Sequence, residues 1–133
     1  MIENAIYQRL SGFAGLQALI GNPGRVYPHL MPQNPLYPAV TYFKIAGPRE
    51  VAMGTDPGIV HGRFQIDAWG LTYLNTRDVG EQVRLALERF RGTLDTTVIL
   101  DSFIDEERDF EPELVNGVIV RRRMSEWTIH YRE

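Results

Sequence analysis

The stretch from residue 62 to residue 87, GRFQIDAWGLTYLNTRDVGEQVRLAL, contains two hydrophobic periods in succession. Over residues 63–69 apolar and polar side chains alternate, which predicts a strand with one apolar face. After Gly70 the core-type positions recur every three or four residues, as on one stripe of an amphipathic helix. These stripe positions are Thr76, Val79, Gly80, Val83, Ala86, Leu87 and Phe90. The strand and the helix are therefore expected to pack on each other.

The opposite stripe of this predicted helix is charged. Arg77 precedes Glu81, and Arg84 precedes Glu88, by four residues in each case. Side chains at this spacing are neighbours on a helix surface, so two solvated ion pairs are expected there.

The rest of the sequence predicts three strands in addition to the one already described, and a helix at the start of the chain. The expected helix covers residues 2–10, with a short helical turn after Ser11, and the expected strands cover residues 39–46, 59–69, 97–104 and 117–131. The first two strands should form an antiparallel hairpin closed by residues 47–58, which are rich in glycine and proline. The prediction is an α+β fold in one domain, residues 1–133. Its two-layer sandwich would contain a mainly antiparallel four-stranded sheet, with one long helix and an N-terminal helix on one face.

Composition excludes several classes of function. The chain has 133 residues and no cysteine, so a disulfide framework, a thiolate zinc site and a cysteine nucleophile are excluded. The net charge of −3 argues against specific binding of nucleic acid. The sequence contains no apolar run of the roughly 18 residues that a membrane helix needs, and its start lacks the features of a signal peptide. No membrane association is expected.

Residues 23–38 hold five of the eight prolines and are predicted to form an extended arm on the surface. The arm is also rich in large apolar side chains, which are unusual in a solvated loop. One interpretation, which the sequence favours, is that these side chains hold the arm on its own sheet. The other is that the arm lies on a neighbouring subunit, with candidate contacts at Tyr27, Pro28, Met31 and Pro32.

Two clusters of opposite charge follow the long helix. Residues 101–113 contain seven carboxylates and one arginine and are expected to run into an acidic loop over about residues 105–116. Three consecutive arginines, residues 121–123, lie on the next predicted strand. The charges could simply protect a sheet edge from aggregation. Alternatively, they form a head-to-tail interface between subunits. The candidate contacts are Asp105, Glu106 and Glu107 on one subunit and Arg121 and Arg123 on the next.

No catalytic or metal-binding motif is present. The serines lack a Gly-x-Ser-x-Gly context, the three histidines lack metal-ligand spacing, and no phosphate-binding glycine loop occurs. Neither a metal nor a cofactor is expected, and an enzyme is disfavoured. Asp67 is either a buried carboxylate with a raised pKa or, as the sequence favours, a group on the wetter side of the sheet beside Lys44 or an arginine.

An alternative function of a different class remains open. The chain could be a dimeric small-ligand-binding protein or weak enzyme, with a pocket on the uncovered face of the sheet. The side chains of Tyr42, His61, Asp67 and Trp69 would surround that pocket.

Several segments together resemble the small tail-completion, or tail-terminator, proteins of long-tailed bacteriophages and prophages. The similar segments are GRVYP at 24–28, MPQ at 31–33, YPAVTY at 37–42, RFQIDAW at 63–69 and TY at 72–73. The sequence departs from the family pattern at Asn75 and Thr76, where relatives often carry alanine before the arginine. The resemblance covers roughly the first 90 residues in order.

The resemblance implies a structural role without catalysis. Members of this family act as rings, typically of six subunits, that cap the tail tube at its head-proximal end and join it to the head. The implied partners are further copies of the chain, the tail tube protein and a head-completion or connector protein. The implied location is the head-proximal end of the virion tail, after assembly in the cytoplasm of the host bacterium. A related tailocin-like device is equally compatible with the sequence.

Overall fold

The computed structural model describes residues 1–22, 24–49 and 58–132, so most of the predicted loop at 47–58 lies outside the described residues. Three helices and seven strands occur in the described part of the chain. In chain order they are α1 (Ile2–Gly12), α2 (Ala14–Ile20), β1 (Val26–Pro28), β2 (Ala39–Ala46), β3 (Ile59–Gly70), α3 (Tyr73–Leu87), β4 (Gly92–Leu94), β5 (Thr97–Asp109), β6 (Glu113–Val115) and β7 (Val118–Arg132).

The strands form one mixed sheet in the order β1-β2-β3-β7-β5-β4, with β6 paired to β7. Strand β1 runs parallel to β2, and the other described pairs are antiparallel, including the predicted β2–β3 hairpin. The α+β class is confirmed, but the expected four-stranded sheet is wrong. The strands that the sequence did not predict, β1, β4 and β6, are three residues long. Segments this short carry no recognisable hydrophobic period.

Helix α3 follows the predicted stripe closely. Its buried positions are Thr76, Val79, Gly80, Val83, Ala86 and Leu87. At its start the side chain of Thr72 accepts a hydrogen bond from the backbone N–H of Asn75, with an N–O distance of 3.1 Å. This contact caps the helix and satisfies one of its free donors. The helix ends at Leu87, so Phe90 packs against the core from beyond the helix end.

One of the two predicted ion pairs on α3 is present. Arg84 binds Glu88 at 2.6 Å as predicted, and it also binds Glu81 on the preceding turn. Because Arg84 holds Glu81, Arg77 pairs instead with the adjacent Asp78 at 3.3 Å.

The three helices cover one face of the sheet, called here the helix face. Trp127, Phe64 and Tyr131 are fully buried there against apolar side chains of all three helices. Two polar side chains in this core are paired: the indole N–H of Trp127 donates to Ser125 Oγ at 2.8 Å, and Ser125 donates to the carbonyl of Ile66 at 2.9 Å. Alternate residues of the same strands lie on the opposite, open face.

The predicted acidic loop at about 105–116 is wrong. Strand β5 continues through Asp109, and β6 resumes pairing with β7 at Glu113, so residues 110–112 are the only break between them. Strand pairing uses backbone groups, so charged side chains are compatible with a strand at an exposed edge of the sheet. The carboxylates of this segment therefore lie on a strand and remain in contact with solvent. Asn116 and Gly117 close the hairpin with φ angles of 50° and 80°, the conformation that an Asn-Gly turn favours.

The last part of this hairpin extends beyond the neighbouring strand. Strand β3 ends with Gly70 opposite Arg121, whereas β6 and β7 remain paired over residues 113–120. Residues 113–120 are called here the tip hairpin. Within the described residues, no helix is both long and apolar enough to cross a membrane.

Candidate interaction surfaces

The Pro-rich arm is held at both ends by its own chain. At one end β1 pairs with β2 and buries Val26. Arg25 Nε donates to the carbonyl of Pro38 at 2.8 Å, which joins the two ends of the arm. The backbone N–H of His29 donates to the carbonyl of Tyr42 at 2.8 Å. For the two ends of the arm, these contacts support the favoured interpretation, in which the arm packs on its own sheet.

The middle of the arm remains exposed. Leu30 and Leu36 are 75% and 70% exposed. Of the predicted contact residues, Pro28 and Pro32 are exposed, whereas Tyr27 and Met31 are partly covered. Large apolar side chains at this exposure are the kind of feature that marks an interaction surface when they lie together.

The arm lies on the open face of the sheet. The ring of His29 packs edge-on against Phe43, with 5.2 Å between the ring centroids. Farther along, Asn34, Pro35 and Tyr37 line a recess together with Val115, Asn116 and Val118 of the tip hairpin. The arm therefore runs from β2 to the open-face side of the tip hairpin.

The three predicted acidic contacts lie on the outer part of β5. Asp105, Glu106 and Glu107 are all exposed. Asp105 accepts a hydrogen bond of 2.6 Å from Thr128 on β7. The strand is irregular here, with a register shift between Ile104 and Glu106. These carboxylates are available to a neighbouring molecule.

The two predicted arginine contacts have partners in their own chain. Arg123 forms a two-pronged contact with Asp109, at 2.7 and 3.2 Å, and this contact lowers the pKa of Asp109 below its usual value. Arg121 donates to the backbone carbonyl of Leu71 at 3.0 Å. The acidic segment and the arginines thus meet within one chain, because the hairpin places Asp109 directly opposite Arg123.

Arg122, between these two arginines, has a different environment on the open face. Its guanidinium carbon lies 3.9 Å from the centre of the Phe110 ring and 5.1 Å from that of Trp69. The stack attaches residue 110, in the break between β5 and β6, to the sheet by cation–π contacts. The sequence identified the arginine run but not this arrangement, since Phe110 and Trp69 are 41 positions apart in the chain.

Asp67 combines the two environments that the sequence offered as alternatives. Its side chain is buried, and it accepts hydrogen bonds of 3.0 and 3.2 Å from Gln65. Arg122 lies 3.8 Å away. Burial raises the pKa of Asp67, while the hydrogen bond from Gln65 and the charge of Arg122 oppose that rise. Lys44 is elsewhere and donates to Tyr131.

The four side chains of the alternative ligand pocket do not converge. Tyr42 pairs with Ile66 and is buried on the helix face, whereas Asp67 and Trp69 lie on the open face. His61 is six residues from Asp67 on the same strand, or about 20 Å, and it packs against the ring of His130 at 4.4 Å. Among residues 1–22, 24–49 and 58–132, no group of three or more His, Asp or Glu side chains could hold a metal ion.

A groove that the sequence did not predict lies where the start of α3 meets the break between β5 and β6. Its volume is about 160 Å³. It is lined by Tyr73, Thr76, Arg77, Asp109, Phe110, Pro112, Arg121 and Arg122. Next to it, Leu114 and Ile119 form an exposed cross-strand pair on the tip hairpin. The groove and this pair are together called the cleft. Its residues come from three separate parts of the chain, so no local pattern signals it.

Comparison with known proteins identifies a family and similar solved structures. Residues 4–124 match the family described as "Tail completion protein gp17". No curated protein sequence matches the chain. A chain from the virion of a native gene transfer agent (GTA) particle has a similar fold, with a TM-score of 0.66 and 22% sequence identity. The similarity covers 97% of this chain and 92% of that chain.

Proposed function

Because the chain belongs to the bacteriophage tail-completion family, whose members are structural virion proteins, we propose that it forms a ring that caps the tail tube and joins the tail to the head. The family match over residues 4–124 is the observation that carries this proposal, since it covers α2, α3, all but the first two residues of α1 and most of the sheet. The similar fold of a chain in a GTA virion particle supports it.

The ring is built by head-to-tail contacts between copies, with six subunits as the expected number. A heterologous contact needs two different surfaces on one molecule, and it closes into a ring when the rotation allows. The exposed arm and the acidic part of β5 supply candidate surfaces. The proposed interface residues are Tyr27, Pro28, Met31, Pro32, Asp105, Glu106, Glu107, Arg121 and Arg123.

The internal Asp109–Arg123 contact changes how the charged interface would work. Arg123 is already neutralised, so a neighbouring carboxylate would add to an existing pair rather than form a new one. Among the described residues, Arg121 donates to a neutral carbonyl rather than to a carboxylate, and it is therefore the better partner for Glu106 or Glu107 of the next copy.

The proposed partners beyond the ring are the tail tube protein on one side and a head-completion or connector protein on the other. The proposed location is the head-proximal end of the tail, after assembly in the host cytoplasm. The role requires no catalytic step, because contacts alone join the two parts of the particle.

The test is the native mass of the protein over a range of concentrations, with electron microscopy of any large species. A ring-sized oligomer that forms at high concentration supports the proposal. A tight dimer at every concentration contradicts it and favours a ligand-binding protein. A monomer throughout rejects spontaneous ring closure and leaves the tail end as the required template, which purified tails would test directly.

A charge-reversal variant tests the interface itself. Glu106→Lys combined with Glu107→Lys should weaken self-association, because both carboxylates are exposed and lie on the proposed contact. The control is Asp78→Lys combined with Glu88→Lys on the solvated stripe of α3, which changes the net charge equally. If the two double variants assemble equally well, the acidic residues are not part of the interface.

A further inference from the structure

Two exposed apolar surfaces of this chain lie on opposite sides of the tip hairpin. The arm packs on the open-face side, where Pro35 and Tyr37 meet Val118. Strand alternation places Ile119, and Leu114 opposite it, on the other side, which continues the helix face. The arm of one molecule therefore cannot reach the cleft of the same molecule without leaving its place on the sheet.

The cleft has the composition of a site for proline-rich chain. Its walls include the aromatic rings of Tyr73 and Phe110 and the ring of Pro112. Extended proline-rich segments bind in aromatic-lined grooves because their conformation is already formed, so little entropy is lost on binding. Such segments also have few backbone N–H groups that would lose water.

The charge of the arm is also compatible with that of the cleft. Residues 28–38, PHLMPQNPLYP, contain no arginine, lysine or carboxylate. Asp109 of the cleft is paired with Arg123, and Arg122 stacks on Phe110. The cleft also carries Arg77 and Arg121, and the arm has no lysine or arginine that would repel these two guanidinium groups. The carbonyl groups that precede the prolines accept hydrogen bonds, so a neutral, acceptor-rich chain complements these two cations.

We propose that the exposed side of the arm, which carries Leu30 and Leu36, contacts the cleft of the next copy, so that the arm is the part that links consecutive subunits of the ring. This inference rests on the proposed ring and specifies one of its contacts. A single arm in a single cleft buries much less than the roughly 800 Å² per partner of a stable complex. The contact is therefore weak in an isolated pair and becomes stable when each subunit contributes an arm and a cleft to a closed ring.

Disulfide trapping tests the contact, because the natural chain contains no cysteine. Two differently tagged single variants, Leu36→Cys and Ile119→Cys, are mixed under mild oxidation, and mixed-tag dimers are counted on a non-reducing gel. Both side chains are exposed, so neither change should affect folding. The matched control replaces Ile119→Cys by Leu85→Cys, which is similarly exposed but lies at the far end of α3.

The expected result is a mixed-tag dimer for residues 36 and 119 that exceeds the control by about tenfold or more. A ring that assembles in solution without this excess would overturn the arm contact while leaving the proposed ring intact. Absence of the disulfide together with absence of self-association would also overturn the arm contact. In that case the tail-completion role is tested by a separate measurement, the ability of the chain to complete tails in an assembly mixture.

Discussion

The two faces of the sheet are stabilised by different interactions. On the helix face, fully buried Trp127, Phe64 and Tyr131 pack against apolar helices. On the open face, the main contacts are polar or aromatic, such as Arg122 between two rings and His61 against His130. Burial of apolar area dominates folding stability, so most of it should reside on the helix face. The open face and the parts beside it are then free to serve contacts between molecules.

The largest expected effect is on the helix face. Trp127→Ala should lower the free energy of unfolding by about 3–5 kcal/mol, since it removes a fully buried aromatic ring and leaves a cavity. Chemical denaturation measures this loss. The control is Phe103→Ala, a partly exposed aromatic residue on the open face, for which about 1 kcal/mol is expected. Equal losses at the two positions would show that both faces contribute alike.

A smaller effect is expected at the aromatic stack of the open face. Arg122→Ala should lower the free energy of unfolding by about 1–2 kcal/mol, because the cation–π contacts are lost and buried Asp67 loses the cation that lies 3.8 Å from it. The control is Arg108→Ala, an exposed arginine near the same Phe110 ring, with an expected loss of about 0.5 kcal/mol or less. A similar loss at both positions would argue against the stack.

The pH dependence of the free energy of unfolding should distinguish two carboxylates, Asp67 and Asp109, whose pKa values are shifted in opposite directions. Burial raises the pKa of Asp67 above its unfolded value, so its contribution to stability is present at low pH and is lost as the pH rises through the folded pKa. Asp67→Asn should therefore gain stability relative to the natural chain as the pH rises above about 4. Urea denaturation at several pH values measures this difference.

Asp109→Asn is the matched control, for which the opposite change of stability with pH is expected. The hydrogen bond from Arg123 lowers the pKa of Asp109, so the contribution of that group is present above its unfolded pKa and is lost as the pH falls through its folded pKa. Relative to the natural chain, Asp109→Asn should lose stability as the pH rises. The same slope for both variants would contradict the assignment of the two environments.

The smallest effect on folding is expected at the exposed acidic edge. Glu106→Lys combined with Glu107→Lys should change the free energy of unfolding by no more than about 0.5 kcal/mol, since both side chains are exposed on β5. Thermal denaturation of the dilute protein checks this. A large loss would mean that these carboxylates stabilise the subunit, and the effect of the variant on assembly would then have no bearing on the interface.

Local sequence pattern predicted the central elements of the fold well. The buried stripe of α3 and the antiparallel pairing of β2 with β3 are both present. The extent of β5 was not predicted, because its charged second half has no hydrophobic alternation, and the short strands β1, β4 and β6 exist only through their pairing partners. Pairing energy from a neighbouring strand is not visible in the local sequence.

The candidate surfaces were predicted in part. The arm and the two charge clusters were identified from composition, yet their contacts were not: Arg123 pairs with Asp109 of its own chain. The ligand pocket of the alternative function was predicted from four residues, of which Tyr42 lies on the other face of the sheet. The sequence predicted that β2 is a strand without deciding which of its two faces meets the helices.

By itself, then, the sequence determined the strand and helix at residues 62–87, the extended proline-rich arm and the resemblance to tail-completion proteins, because each depends on residues that are close in the chain or on their order along it. The tertiary structure decided the stack around Arg122, the buried position of Asp67 and the cleft at the start of α3. Each of these joins residues tens of positions apart. Their proximity follows from the order and register of the strands, which emerge only when the sheet has formed.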